Sequence, residues 1–184
     1  MKTIKANKKA IKIACEIIKS GGIIIFPTET VYGIGASALN KSAIKKIYKI
    51  KGRSFDKPLQ VLISDKKQIA EFAKEISTSA QELIKKYWPG SLTLVLKKRG
   101  SRNNTVGLRM PDHKFILKLI KETGPLAATS ANISGKPAPI NAKEVNITAD
   151  LLIDGGKCKQ GLASTVIDAT AEKLIVLRNG SIKI

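Results

Sequence analysis

Gly21-Gly22-Ile23-Ile24-Ile25-Phe26-Pro27-Thr28-Glu29-Thr30-Val31-Tyr32-Gly33-Ile34-Gly35 is the stretch on which the fold turns. Paired glycines stop whatever helix precedes them, since glycine alone enters the left-handed region without cost. The apolar run Ile23–Phe26 is too short for a helix and suits a buried strand. Pro27 then ends it, and the chain leaves the strand carrying two hydroxyls and a phenol among glycines. A buried strand delivering polar groups to a glycine-rich bend is how α/β proteins build ligand loops.

The elements on either side extend this reading. Asn7 is placed to cap a helix through Lys19, with Ala10, Ile13, Ala14, Ile17 and Ile18 on one face. Asn40 is placed to cap a second helix to about Ile50, and Leu59–Ile63 reads as a strand. Helices are expected over Lys66–Ile76 and Ser79–Tyr87, then strands over Ser91–Lys97 and Thr105–Arg109 around a turn at Gly100–Asn104. Asp112 is expected to cap a helix to about Lys121, ended at Gly124-Pro125. Short strands follow at Leu126–Thr129, Leu151–Asp154, Ser164–Asp168 and Leu174–Leu177. Helices interleave with strands early and strands cluster late, which predicts an α/β (α+β) fold with a twisted mixed sheet flanked by helices. No repeat or linker divides the 184 residues, so one domain over 1–184 is expected.

Composition narrows the chemistry. The formal charge is +19 at pH 7, a field that draws polyanions. A general drift towards lysine explains it as well, because 28 of the 33 basic residues are Lys. The five arginines are then the informative cations, since a planar fork is chosen where paired oxygens are gripped. Arg109 and Arg178 end apolar strands and Arg53 follows a helix in a cluster of three cations around a glycine, whereas Arg99 and Arg102 flank a turn. Cys15 and Cys158 are far apart and read as buried free thiols in a reducing, cytoplasmic setting. The lysine-rich start lacks the apolar segment of a secretory leader, and no apolar run is long enough to span a membrane. The single histidine, His113, rules out a histidine metal cluster and reads as a helix-start neighbour. Neither a P-loop nor a dinucleotide fingerprint is present.

Polar groups recur at strand ends: Thr28 to Tyr32; Lys51-Gly52-Arg53 with Lys57; Thr105 to Arg109; Ala128-Thr129-Ser130-Ala131-Asn132; Ser164-Thr165; and Arg178-Asn179-Gly180. Any one is an ordinary strand end. Together they describe a cleft for a small charged ligand.

The runs PTETVYG, KGRSFDKPL, GLRMP, TSANISG, STVID and VLRNG, from about Gly21 to Ser181, resemble the YrdC family in order and spacing. The resemblance implies a single YrdC-like domain with a basic concave cleft. It also implies threonylcarbamoyl-adenylate synthesis from L-threonine, bicarbonate and ATP, with Mg2+ accompanying ATP, for threonylcarbamoyl-adenosine modification of tRNA. A tRNA threonylcarbamoyl-transferase complex (TsaD, TsaB, TsaE) would follow downstream. Lys51 and Arg53 fall on catalytic positions of the family. Arg53, Lys57, Thr105, Ser130, Asn132 and Arg178 fall on ATP-binding ones, and Thr30, Arg109, Ala128 (through its backbone) and Ser164 on threonine-binding ones. No metal-ligating residue is implied. Leu62 and Ala138 depart from the pattern of some longer relatives, where a histidine and a hydroxyl residue can stand. Arg109 suits a bidentate grip on the threonine carboxylate. The rival reading is a module binding double-stranded RNA, tRNA or the ribosome through the basic concavity.

Overall fold

In the computed structural model, which describes residues 1–102 and 104–184, ten strands form one mixed sheet. They are β1 (Lys2–Lys5), β2 (Ile24–Phe26), β3 (Gly33–Ser37), β4 (Gln60–Leu62), β5 (Leu92–Lys97), β6 (Thr105–Arg109), β7 (Leu126–Ser130), β8 (Leu151–Asp154), β9 (Thr165–Asp168) and β10 (Ile175–Arg178). Their spatial order is β1-β8-β2-β3-β7-β4-β6-β5-β9-β10. The helices are α1 (Lys8–Lys19), α2 (Lys41–Lys51), α3 (Ile69–Phe72), α4 (Thr78–Tyr87) and α5 (Lys114–Thr123).

The helix starts follow from their caps. Asn7 and Asn40 each accept a hydrogen bond at 2.9 Å, from Ala10 N and Ala43 N, which satisfies an end donor of α1 and α2. The buried face of α1 is rotated slightly from the expected one: Ile11 and Cys15 join Ala10, Ala14 and Ile18, while Ile13 and Ile17 lie at its border. Asp112 does not cap α5. His113 occupies that place without a side-chain cap bond, and the helix runs on to Thr123.

The helix expected over 66–76 is a 3-10 turn, Lys66–Gln68, followed by the single turn of α3. It stops because the backbone of 72–74 is drawn to the sheet, where Lys74 N donates to Lys97 O and Ala73 bridges Lys98. Two strands were not anticipated, β1 and β3. β1 pairs in parallel with β8 and has three exposed residues out of four, so no apolar signal marks it. β3 is the glycine-rich bend itself, and it continues as a central strand between β2 and β7. Its glycines are packing requirements: a Cβ at Gly33 or Gly35 would lie 3.0 Å from the Phe26 ring. The expected turn at 100–104 includes Asn103, which lies outside the described residues.

The sheet is covered unequally. Helices α1 and α5 pack on one face of its β8-β2-β7 part, and α2 packs on the opposite face. Across β4, β6, β5 and β9, helix α4 and Trp88 cover only one face, burying Val61, Leu94, Val106, Leu108 and Ile167. Strand side chains alternate, so Gln60, Thr93, Val95, Thr105, Gly107, Arg109 and Val166 all face the other way. Among the described residues no helix covers them, and they floor a cavity.

Candidate active site

That cavity measures about 290 Å3. It collects Arg53, Thr105, Arg109, Ala128, Ser130, Ser164 and Arg178, seven of the eleven residues singled out from the sequence. A smaller recess of about 20 Å3 adjoins it, lined by Thr28, Thr30, Tyr32, Leu62 and again by Gln60 and Arg109. The shared lining residues make the recess an extension of the main cavity towards the PTETVYG bend.

Two polar networks set the shape of the walls. In the first, Arg109, only 3% exposed, donates from Nη2 to Glu29 Oε1 at 2.7 Å and to Thr30 Oγ1 at 2.9 Å. Its Nε donates to the Gly90 carbonyl at 3.2 Å. Much of the fork expected to grip a ligand in bidentate fashion is therefore engaged by the protein, leaving Nη1 as its free edge. Burial pushes the Glu29 carboxyl up, but the charge and hydrogen bond of Arg109 outweigh it and hold it below the usual glutamate value. Thr30 is fully buried and tied to Thr28 Oγ1 at 2.8 Å. It reaches the recess rather than the main cavity.

The second network runs along the floor. Arg178 donates to the Ser164 carbonyl at 2.9 and 3.0 Å and to its hydroxyl at 3.1 Å. The Ser164 and Thr93 hydroxyls are 2.8 Å apart, and Thr93 donates to Gln60 Oε1 at 2.8 Å. Because Arg178 is a donor only, donation proceeds from Arg178 to Ser164, Thr93 and Gln60 in turn. Burial lowers the Arg178 pKa, and the charges of Arg109 and Arg53 lower it further, so three guanidiniums converge on one space. A cavity that crowds cations from separate strands and loops is built for an anion.

Arg53 is held at the rim by its own loop, donating to the carbonyls of Lys57 at 2.8 Å and Pro58 at 3.2 Å. Lys57 itself is exposed and does not line the cavity. Lys51 also stands outside it. The side chain is 1% exposed and its Nζ donates to the carbonyls of Ser130, at 2.5 Å, and Asn132. Burial, with Arg53 adding to it, brings its pKa down to about 8. Asn132 is buried too, donating at 2.6 Å to the Lys136 carbonyl. Lys51 and Asn132 thus shape the turn that presents Ser130. Leu62 is a core residue at the end of the recess.

Glu29, Thr93 and Gln60 went unassigned in the sequence. Only Thr93 carried a signal, the alternation in Leu92-Thr93-Leu94-Val95-Leu96, which puts it on the face away from the core. Among the described residues no three His, Cys, Asp or Glu side chains gather as a metal site. Among the described residues no helix is long and apolar enough to cross a membrane.

The Sua5_yciO_yrdC family model, described as "Telomere recombination", matches residues 16–180. A threonylcarbamoyl-AMP synthase of Pyrococcus abyssi is 45% identical over 94% of this chain and 54% of its own length. One of Bacillus subtilis is 40% identical over 97% of this chain and 56% of its own. The chain spans about half the length of these relatives. The crystal structure of P. abyssi Sua5 complexed with L-threonine superimposes with a TM-score of 0.89 at 43% identity, covering 97% of this chain and 56% of that one. With the model matched along most of its length and the same sheet, this chain belongs to the Sua5/YciO/YrdC family.

Proposed function

We propose that this chain is an L-threonylcarbamoyladenylate synthase. It would take L-threonine, bicarbonate and ATP to threonylcarbamoyl-AMP and pyrophosphate, for threonylcarbamoyl-adenosine modification of tRNA. The observation that carries the reading is the convergence of Arg53, Arg109 and Arg178, with the hydroxyls of Thr105, Ser130 and Ser164, on one cavity. That set suits two anionic substrates held side by side. The relatives named threonylcarbamoyl-AMP synthase support the same reaction.

The chemistry needs no covalent intermediate on the protein. The threonine amine, in its neutral form, adds to the carbon of bicarbonate and water leaves, giving a carbamate. A carbamate oxygen attacks the α-phosphate of ATP, and pyrophosphate leaves. The protein's contribution is proximity and charge neutralisation. Arg53 and Arg178, with Thr105 and Ser130, take the nucleotide. The free edge of Arg109 takes the threonine carboxylate, beside the Ala128 backbone and Ser164. Thr30, at the recess, reads the threonine hydroxyl. Lys51 and Asn132 act through the Ser130 turn, and Lys57 adds positive potential at the rim. Mg2+ enters with the triphosphate as part of the substrate. A reducing cytoplasm suits the two buried free thiols, and a tRNA threonylcarbamoyl-transferase complex (TsaD, TsaB, TsaE) is the class of partner that would consume the adenylate.

Pyrophosphate release should require both threonine and bicarbonate. Release that continues with either withheld would overturn the reading. The double-stranded-RNA alternative explains the charge but gives no role to the hydroxyl network within the cavity.

A further inference from the structure

Gln60 stands at the centre of the cavity floor, and no role has been assigned to it. On β4 it pairs with Ala128 of β7 on one side and Gly107 of β6 on the other. Both neighbours are small, so the floor is lowest on either side of this one side chain. Gln60 lines the main cavity and also the recess. Of the residues proposed for the amino acid, Thr30 lines the recess alone, Arg109 and Ala128 line both spaces and Ser164 lines the main cavity. Of those proposed for the nucleotide, Arg53, Thr105 and Arg178 line the main cavity alone and Ser130 lines both.

The orientation of its carboxamide is set from below. Thr93, 3% exposed, donates to Oε1 at 2.8 Å, and the Thr93 hydroxyl is itself fixed through Ser164 by Arg178. With Oε1 taken as acceptor, the NH2 half of the amide is left to the cavity. A neutral donor at the meeting point of two anionic substrates adds no charge and costs neither substrate its cation.

We propose that the Gln60 NH2 group binds a carbamate oxygen of the substrate, holding the carboxyl carbon supplied by bicarbonate between the threonine amine and the α-phosphate. This rests on the synthase reading above. Arg109 takes the amino-acid carboxylate and the arginine pair takes the phosphates, so the carbamate needs its own fixed donor to be aimed. Gln60 is the donor whose register places it between the two.

The test pairs two variants with steady-state kinetics in each substrate. Gln60→Glu retains the acceptor for Thr93 while replacing the NH2 by a second oxygen, and Gln60→Met removes the donor at similar volume without adding charge. Both should melt within a few degrees of wild type. Gln60→Met should lower kcat/KM for bicarbonate about tenfold or more, the worth of one hydrogen bond to a charged group. Its threonine and ATP dissociation constants, measured by calorimetry without bicarbonate, should change less than about threefold. Gln60→Glu should lose more, by repelling the carbamate. A wild type without bicarbonate-dependent pyrophosphate release would sink the synthase reading and this inference with it. An active wild type with Gln60→Met unchanged for bicarbonate would sink the inference alone. A loss confined to threonine affinity would reassign Gln60 to amino-acid binding, and collapsed melts in both variants would make its role structural.

Discussion

Arg53 shows how one guanidinium can serve a site that its neighbours only surround. In a chain with 28 lysines, position 53 carries Arg between Lys51, which is buried, and Lys57, which is exposed. Its Nε and Nη2 tie down the loop, and the group still lines the cavity. Arg53→Lys keeps the charge and loses the fork. Pyrophosphate release should fall about ten- to a hundredfold, the cost of one charge-assisted bond in a desolvated site. The bonds it makes are at an exposed loop, so a thermal melt should move by a few degrees at most. A collapsed melt would make the residue structural.

Glu29 and Lys51 give pH signatures of the same sign in different windows, because both bind their proton less tightly in the folded state. The folded-state pKa of Glu29 lies below its ordinary value, so its pairing with Arg109 stabilises the fold above pH about 4.5 and is lost as pH falls through the lowered value. Glu29→Ala should cost about 3–5 kcal/mol near neutrality by stranding a buried cation, and should flatten the acid limb of the stability profile. Lys51 binds its proton less tightly folded, at about 8, than unfolded, at 10.5. Stability from this group should therefore rise between about pH 8 and 10.5, and Lys51→Met should abolish the rise in denaturant melts. The arginines were legible in the sequence because they stand out against lysine. Glu29 was not, because its partner is 80 positions away and its carboxylate serves Arg109 from behind the cavity wall.

At the scale of elements, the caps at Asn7 and Asn40 and the apolar runs of β2 and β8 were readable, since each depends on neighbours in sequence. β1 and the early end of α3 were not, because partners about 150 and 25 residues away decide them. The VLRNG segment carries a prediction of its own. A Cβ at Gly180 would lie 2.3 Å from the Ala163 carbonyl oxygen and 2.4 Å from backbone atoms of Ser164 and Thr165. Gly180→Ala must push the segment after β10 away from the cavity wall, and Arg178 loses its hold on Ser164. Nucleotide affinity, read by calorimetry, should fall at least tenfold, while far-UV circular dichroism should hardly change because β10 is an edge strand. Unchanged affinity would mean that Arg178 is positioned by other contacts.

Over the whole molecule, the +19 charge and the cavity call for separate tests. Lysines are spread along the chain, whereas three of the five arginines meet in one place. Binding of double-stranded RNA should therefore weaken steeply with salt and show little preference for sequence, since dispersed lysines neutralise phosphates without reading bases. A filter-binding titration that proved salt-insensitive and sequence-selective would restore RNA recognition as a primary role.

The strand order has a temporal meaning. β8 (151–154) lies between β1 and β2, and β9 (165–168) lies beside β5. An emerging polypeptide that has reached Arg109 carries Arg53 and Arg109 but lacks Arg178, and it has open gaps where β7 and β8 belong. Ser164 and Arg178, which close the cavity, leave the ribosome after β8. Translation at about 5–20 residues per second keeps the β8 gap open for several seconds. Substrate cannot shelter the chain in that interval, because its binding surface is completed only by Ser164 and Arg178, which are made later.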